Sequence, residues 1–388
     1  MRTTIIAALL LALGACAAPV TQRPVAVLST PRDPLPANDP GVLFWSEVQR
    51  ADRFARMEDF FAGITVPPAP KVRALPPGKP FAAADVAAME RHLAAMGAVG
   101  MMVLQDGRVR YHGIGGRDVD PRWTSFSVAK SFTSTLLGAA VKDGKIALSD
   151  PVTKHLPALA GSAYDAVTVE QVATMTSGVK WNEDYTSPAS DVARMLLVKP
   201  VPGELQSVTY AKTLTREAPA GSKWVYKTLE TNLLGDIVSA AVGRSLADYA
   251  KVKIVDAAGF AGPLFWMTDL TGANIGGCCL SLALSDYARM GQWVMDGGAP
   301  SVPEGWFARA AGPRVDLGNG NGYGYQWWTN PTGFGAQGIF GQYITVVPAQ
   351  RLVIAVVSNH RAATGRALTE ERNALWKLVG EAARRAPQ

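Results

Sequence analysis

The sequence predicts an α/β (α+β) protein: one antiparallel sheet flanked by helices, with a mainly helical section inserted into it. Two observations carry this prediction. Strand-like apolar runs lie near both ends of the chain, at 98–114 and 337–358, and the middle, from about 150 to 300, carries helical spacing with capping residues. The 388 residues are 48% hydrophobic and 18% charged, which is enough apolar material for a large core.

Each element can be justified in chain order. Met1-Arg2, an apolar stretch from Ile5 to Leu13 and the small residues Gly14-Ala15 before Cys16 form a signal peptide over 1–15. The stretch is too short to span a bilayer, which needs about 20 apolar residues. Its end resembles a bacterial lipobox. That resemblance implies a lipidated Cys16, a lipid anchor in a membrane and, with the non-acidic Ala17 following, the periplasmic face of the outer membrane. Residues 16–40 are proline-rich without apolar periodicity and read as a tether. Two apolar-rich runs flank Asp106-Gly107, the strongest short hairpin signal. A helix opens near Ser127 and runs to about Val141, before Asp143-Gly144. Thr168 and Gln171 fit a capping box, with Gly178 placed as the helix end. Helices are also predicted from Thr231 to Gly243, from Ser245 to near Gly259 and from Leu284 to Met295. The β-rich runs 337–347 and 352–358 flank Pro348 to Arg351, and a helix follows over about 367–384. The implied division is an α/β domain of 41–149 and 300–388 around a helical domain of 150–299.

Several function classes find no support. The net charge of +6 is scattered, with no basic run interleaved with aromatics, so nucleic acid is not a partner. No phosphate-binding glycine loop is present. Cys278 and Cys279 are adjacent rather than spaced as C-x-x-C, and His92, His112, His155 and His360 are dispersed. No metal site and no organic cofactor is expected, and the two cysteines read as small, unpaired residues.

The decisive segment is Thr124-Ser-Phe-Ser127-Val-Ala-Lys130-Ser-Phe132. Ser127 and Lys130 are three apart and share a helix face. Ser127 at the helix start would meet free N–H groups and the positive dipole end, which favour a developing oxyanion. A serine hydroxyl needs a neighbouring base, and a buried lysine can serve because desolvation disfavours its ammonium. The spacing alone is weak evidence. Ser177-Gly-Val-Lys180 repeats it, but across a helix-ending glycine.

With these residues in place the chain resembles the serine β-lactamase and penicillin-binding-protein superfamily, in its class C-like branch with esterases and 6-aminohexanoate-dimer hydrolases. The resemblance runs from about 40 to 385. It is carried by Ser127-Val-Ala-Lys130, Ala147-Leu-Ser-Asp-Pro-Val152, Val169 to Gly178, Pro219-Ala-Gly221 leading to Tyr226, and Tyr323-Gly-Tyr-Gln-Trp-Trp328. It implies a β-lactamase-like fold. It also implies that Tyr226, with Thr228 completing its motif, exchanges protons with Ser127, and that a nearby lysine favours the phenolate. Gly338 and Ile339 take the place of the third motif, so the N–H groups of Ser127 and Ile339 would form the oxyanion hole. Ala336 stands where lactam-recognising members carry a cation, which turns the expected substrate toward linear amides or esters. Tyr185, on the loop Val179 to Tyr185, is the candidate for a substrate-facing tyrosine, and Trp181, Trp328 and Tyr343 are candidate pocket walls. The alternatives are a D,D-peptidase, penicillin-binding protein or weak β-lactamase, or a catalytically inactive envelope-binding protein.

Overall fold

A computed structural model describes residues 27–114 and 120–386. The apolar leader and Cys16 lie outside the described residues. The strands are β1 (Val27–Ser29), β2 (Gly63–Val66), β3 (Ala98–Gln105), β4 (Arg108–Gly113), β5 (Arg122–Thr124), β6 (Leu264–Met267), β7 (Leu280–Ala283), β8 (Val315–Gly318), β9 (Asn321–Tyr323), β10 (Trp328–Asn330), β11 (Gly333–Gly338), β12 (Gln342–Val347) and β13 (Leu352–Ser358).

The main sheet is antiparallel, in the order β4-β3-β13-β12-β11-β10-β9-β8. The predicted hairpin turns at Asp106-Gly107, where both φ angles are positive, as a two-residue turn between twisted strands requires. β3 pairs with β13, Val103 opposite Ile354, so the two ends of the chain meet in mid-sheet as expected. The run 337–347 is not one strand: Phe340 and Gly341 take positive φ and fold it into β11 and β12.

Alternation along the strands sends side chains to opposite faces. Met101, Val103, Ile354 and Val356 pack under the helices Ala83–Ala95 and Arg366–Arg385, against Met89, Leu93, Leu375 and Val379. Met102, Leu104, Val353 and Ala355 face the other way, into the larger core with the helices Val128–Lys142 and Leu284–Met295.

A second sheet, β1-β2-β6-β7-β5, escaped the sequence reading because its strands are only three or four residues long. β6 and β7 lie within the stretch read as helical. β1 lies within the stretch read as tether and pairs Val27 with Thr65. The Thr168 capping box forms, but its helix stops at Ala173, and Gly178 instead turns the chain ahead of a bridge from Val179 to Arg216. The next long helix begins at Thr228 rather than Thr231 and ends on Gly243 in the left-handed region. Among the described residues no helix is long and apolar enough to cross a membrane.

Candidate active site

β5 delivers the chain to the helix Val128–Lys142 through a tight turn. Ser125 is pinned at its start: its N–H donates to the Leu280 carbonyl at 2.7 Å and its hydroxyl accepts from the Leu280 N–H at 2.8 Å. Phe126 follows at φ 42°, a conformation costly for a bulky residue. It is held by ring contacts to Phe54 and Phe340, with centroids 5.0 and 5.3 Å away. Ser127 therefore stands at the mouth of the helix. β11 crosses directly against this turn. A Cβ on Gly338 would lie 2.5 Å from the Ser125 carbonyl oxygen, so only glycine permits the approach. Ile339 follows where the strand ends. Among the described residues neither the Ser127 nor the Ile339 N–H donates to a protein acceptor.

Lys130 sits one turn into the helix, 1% exposed. Its Nζ donates to Thr228 Oγ1 at 3.0 Å and to the Gly277 carbonyl at 2.8 Å, and lies 5.4 Å from the centroid of the Tyr226 ring. Burial pushes its pKa down to about 8, while the Glu183 carboxylate pushes it up. Tyr226 is the group that hydrogen-bonds Ser127, and its ring stacks on Trp328 at 5.5 Å. Burial, and then the Glu183 charge, raise the phenol well above its ordinary value. The Ser127 hydrogen bond acts in the opposite direction. This corrects the expectation that the lysine draws Tyr226 toward phenolate: the surroundings keep it a phenol.

Glu183 was not singled out in the sequence, although it lies on the loop that was. It organises the floor of the site. The Trp181 indole N–H and the Thr228 hydroxyl donate to it, as do the Thr228 N–H and the Tyr185 hydroxyl, both at 2.9 Å. An acidic residue between two aromatics on a motif loop was the available signal.

Ser127 opens into a cleft of about 120 Å³ lined by Tyr185, Tyr226, Trp328, Gly338, Ile339 and Tyr343, all candidates from the sequence. Trp181 and Thr228 do not line it. Trp181 is packed against Tyr210 in the core, and the Thr228 hydroxyl is taken up between Lys130 and Glu183. Eight further residues line it without having been sequence candidates, and three of them carry polar side chains that bear on the site: Gln337, His360 and Arg372. Arg372, from the C-terminal helix, donates to Gln337 Oε1 at 2.7 Å and lies 5.5 Å from the Tyr343 ring. It also hydrogen-bonds Tyr343 and donates to the Asn373 carboxamide, and among the described residues it forms no ion pair with a carboxylate. Arg372 thus places a cation on the cleft from a distant element, where Ala336 offers none. His360 is held neutral, pushed down to about 4 by burial and by Arg372 and Arg361. Cys278 and Cys279, expected unpaired, are instead joined as a vicinal disulfide.

The β-lactamase family model matches residues 86–375. The 6-aminohexanoate-dimer hydrolase of Paenarthrobacter ureafaciens is 31% identical over 265 residues, covering 62% of this chain and 67% of that protein. A Bacillus anthracis protein assigned as a 6-aminohexanoate-dimer hydrolase superposes over 90% of this chain and 100% of its own, with a TM-score of 0.76 at 19% identity. EstCE1, a hydrolase with promiscuous acyltransferase activity, superposes over 76% of this chain and 98% of its own, with a TM-score of 0.59 at 15% identity. At these identities the two superpositions speak for the fold.

Proposed function

This chain belongs to the β-lactamase family of serine hydrolases, and we propose that it cleaves linear amides or esters through an acyl-enzyme on Ser127. The observation that carries this reading is the setting of Ser127. It lies at a helix N-terminus beside two uncommitted N–H groups, hydrogen-bonded to Tyr226 and one turn from a lysine whose ammonium is destabilised by burial.

The steps follow from that setting. Ser127 Oγ attacks the carbonyl carbon as its proton passes to Tyr226. In the same motion the phenol passes its own proton to neutral Lys130, so that Tyr226 remains a phenol and the net transfer is from Ser127 to Lys130. The oxyanion lies between the N–H groups of Ser127 and Ile339. Collapse of the tetrahedral intermediate expels the amine or alcohol, which takes a proton back from Tyr226, re-protonated by Lys130. Water then repeats the sequence on the acyl-enzyme and frees Ser127. The Trp328, Tyr343 and Tyr185 walls suit an extended chain, and Arg372 suits a carboxylate at its far end.

Arg372 also favours a second reading, acylation by penicillins or D,D-peptides, whose carboxylate it could hold. One panel separates the two: short-chain esters, 6-aminohexanoate oligomers, D-amino-acid amides and nitrocefin, with Ser127→Ala as the blank. Turnover of linear substrates supports hydrolysis. A slowly released penicillin adduct without turnover supports the second reading. Fluorophosphonate labelling that survives Ser127→Ala refutes the nucleophile. The lipid anchor proposed on Cys16 predicts that Cys16→Ala leaves the membrane fraction.

A further inference from the structure

A second cavity, apart from the Ser127 cleft, carries a buried carboxyl group. A cavity of about 360 Å³ lies between the chain at 40–44, the segment at 193–197, one side of the helix Thr228–Val242 and the stretch after β6. It shares no lining residue with the cleft. Its size falls in the range of small-molecule sites, about 300–1,000 Å³. Its walls are apolar, with Leu43, Phe61, Leu196, Leu229 and Met267 among them.

The polar groups on the wall are unequal. Gln206 is fully engaged, accepting from the Leu270 N–H and donating to the carbonyls of Met195 and Leu196. The Asn232 carbonyl oxygen holds the Gly277 N–H, and that of Asn274 holds the Ala247 N–H. Asp236 is different. It is 6% exposed, and among the described residues its carboxylate accepts one hydrogen bond, from the Ser207 hydroxyl. A carboxylate has room for about four such bonds, and a buried charge without a counter-ion is costly. Asp269 adds a second carboxylate to the lining. Among the described residues no lysine, arginine or histidine lines the cavity, although the whole chain carries a net charge of +6. Charge and shape together select the occupant. Among the described residues no group of three or more carboxylate, histidine or cysteine side chains is placed to hold a metal ion. An ammonium brings its own N–H donors to Asp236, and an attached hydrocarbon fills the rest.

We infer that this cavity is a second binding site, for an amphiphilic organic cation: an amine carrying an apolar chain or ring, with its nitrogen at Asp236. The inference is independent of the chemistry at Ser127.

The test is titration of the full chain at pH 8, where Asp236 is ionised, with dansylcadaverine, an apolar ring joined to a primary ammonium, read by fluorescence enhancement. Competition follows with decylamine and with decanoate, chains of equal length and opposite charge. Saturable binding displaced by decylamine, with decanoate at least tenfold weaker, is the expected result. Asp236→Asn should weaken dansylcadaverine at least tenfold while ester turnover stays within twofold. Ser127→Ala should bind the probe as the parent does. The inference is overturned if binding does not saturate, if decanoate competes as well as decylamine, or if Asp236→Asn binds unchanged. Should that variant fail to fold, the amine-against-carboxylate comparison on the parent protein still decides.

Discussion

Lys130 can act as a base only when neutral, and burial sets how often that is so. With its pKa at about 8 it is roughly one-tenth neutral at pH 7, against roughly one part in 3,000 at the ordinary value of 10.5. The fold thus raises the reactive fraction about 300-fold at neutral pH. The kcat/KM for a p-nitrophenyl ester should therefore climb about tenfold from pH 7 to pH 9 and level off, with a midpoint near 8. The Glu183 carboxylate stabilises the ammonium and holds this midpoint up. Glu183→Gln removes the charge and should move the midpoint below 8. The plateau should also fall, because an amide nitrogen cannot accept from both the Trp181 indole and the Thr228 N–H. The assay is initial rate from pH 5.5 to 9.5, corrected with Ser127→Ala. A profile flat across pH 7 to 9 would remove Lys130 as the base. A midpoint that rises in Glu183→Gln would refute the electrostatic account.

Three further outcomes follow from named contacts. Gly338→Ala would drive a methyl into the Ser125 carbonyl and the Phe126 side chain. Activity should fall at least about 100-fold and stability by about 1–3 kcal/mol, read by ester turnover and urea denaturation. Arg372→Gln should raise KM about tenfold or more for a carboxylate-bearing substrate, and leave a neutral ester within about twofold, in parallel steady-state assays. Asp236, raised to about 7 by burial, keeps its proton in the fold at pH values where the unfolded chain has lost it. Stability should then fall as pH rises from about 4 to 7, by at most about 4 kcal/mol from this residue. Asp236→Asn should therefore gain thermal stability over the parent at pH 8 and not at pH 4, in paired melts.

Sequence by itself determined what depends on local pattern. Asp106-Gly107 between apolar runs specifies its hairpin, because a two-residue turn needs two residues that tolerate positive φ. Ser127 and Lys130 three apart on a helix necessarily share a face, and Gly243 stops a helix wherever it falls. The family motifs also point to Tyr226, Gly338 and Ile339, and all three line the cleft. Tertiary structure decided what depends on distance between segments. The second sheet is made of strands too short to show alternation and exists only because they pair with one another. Glu183 gains its importance from Thr228, 45 residues away, and Arg372 reaches Gln337 across 35 residues. The protonation of Lys130 and Tyr226 was beyond the sequence for the same reason. Desolvation is set by everything packed around a group, and the segments that bury these two come from all along the chain.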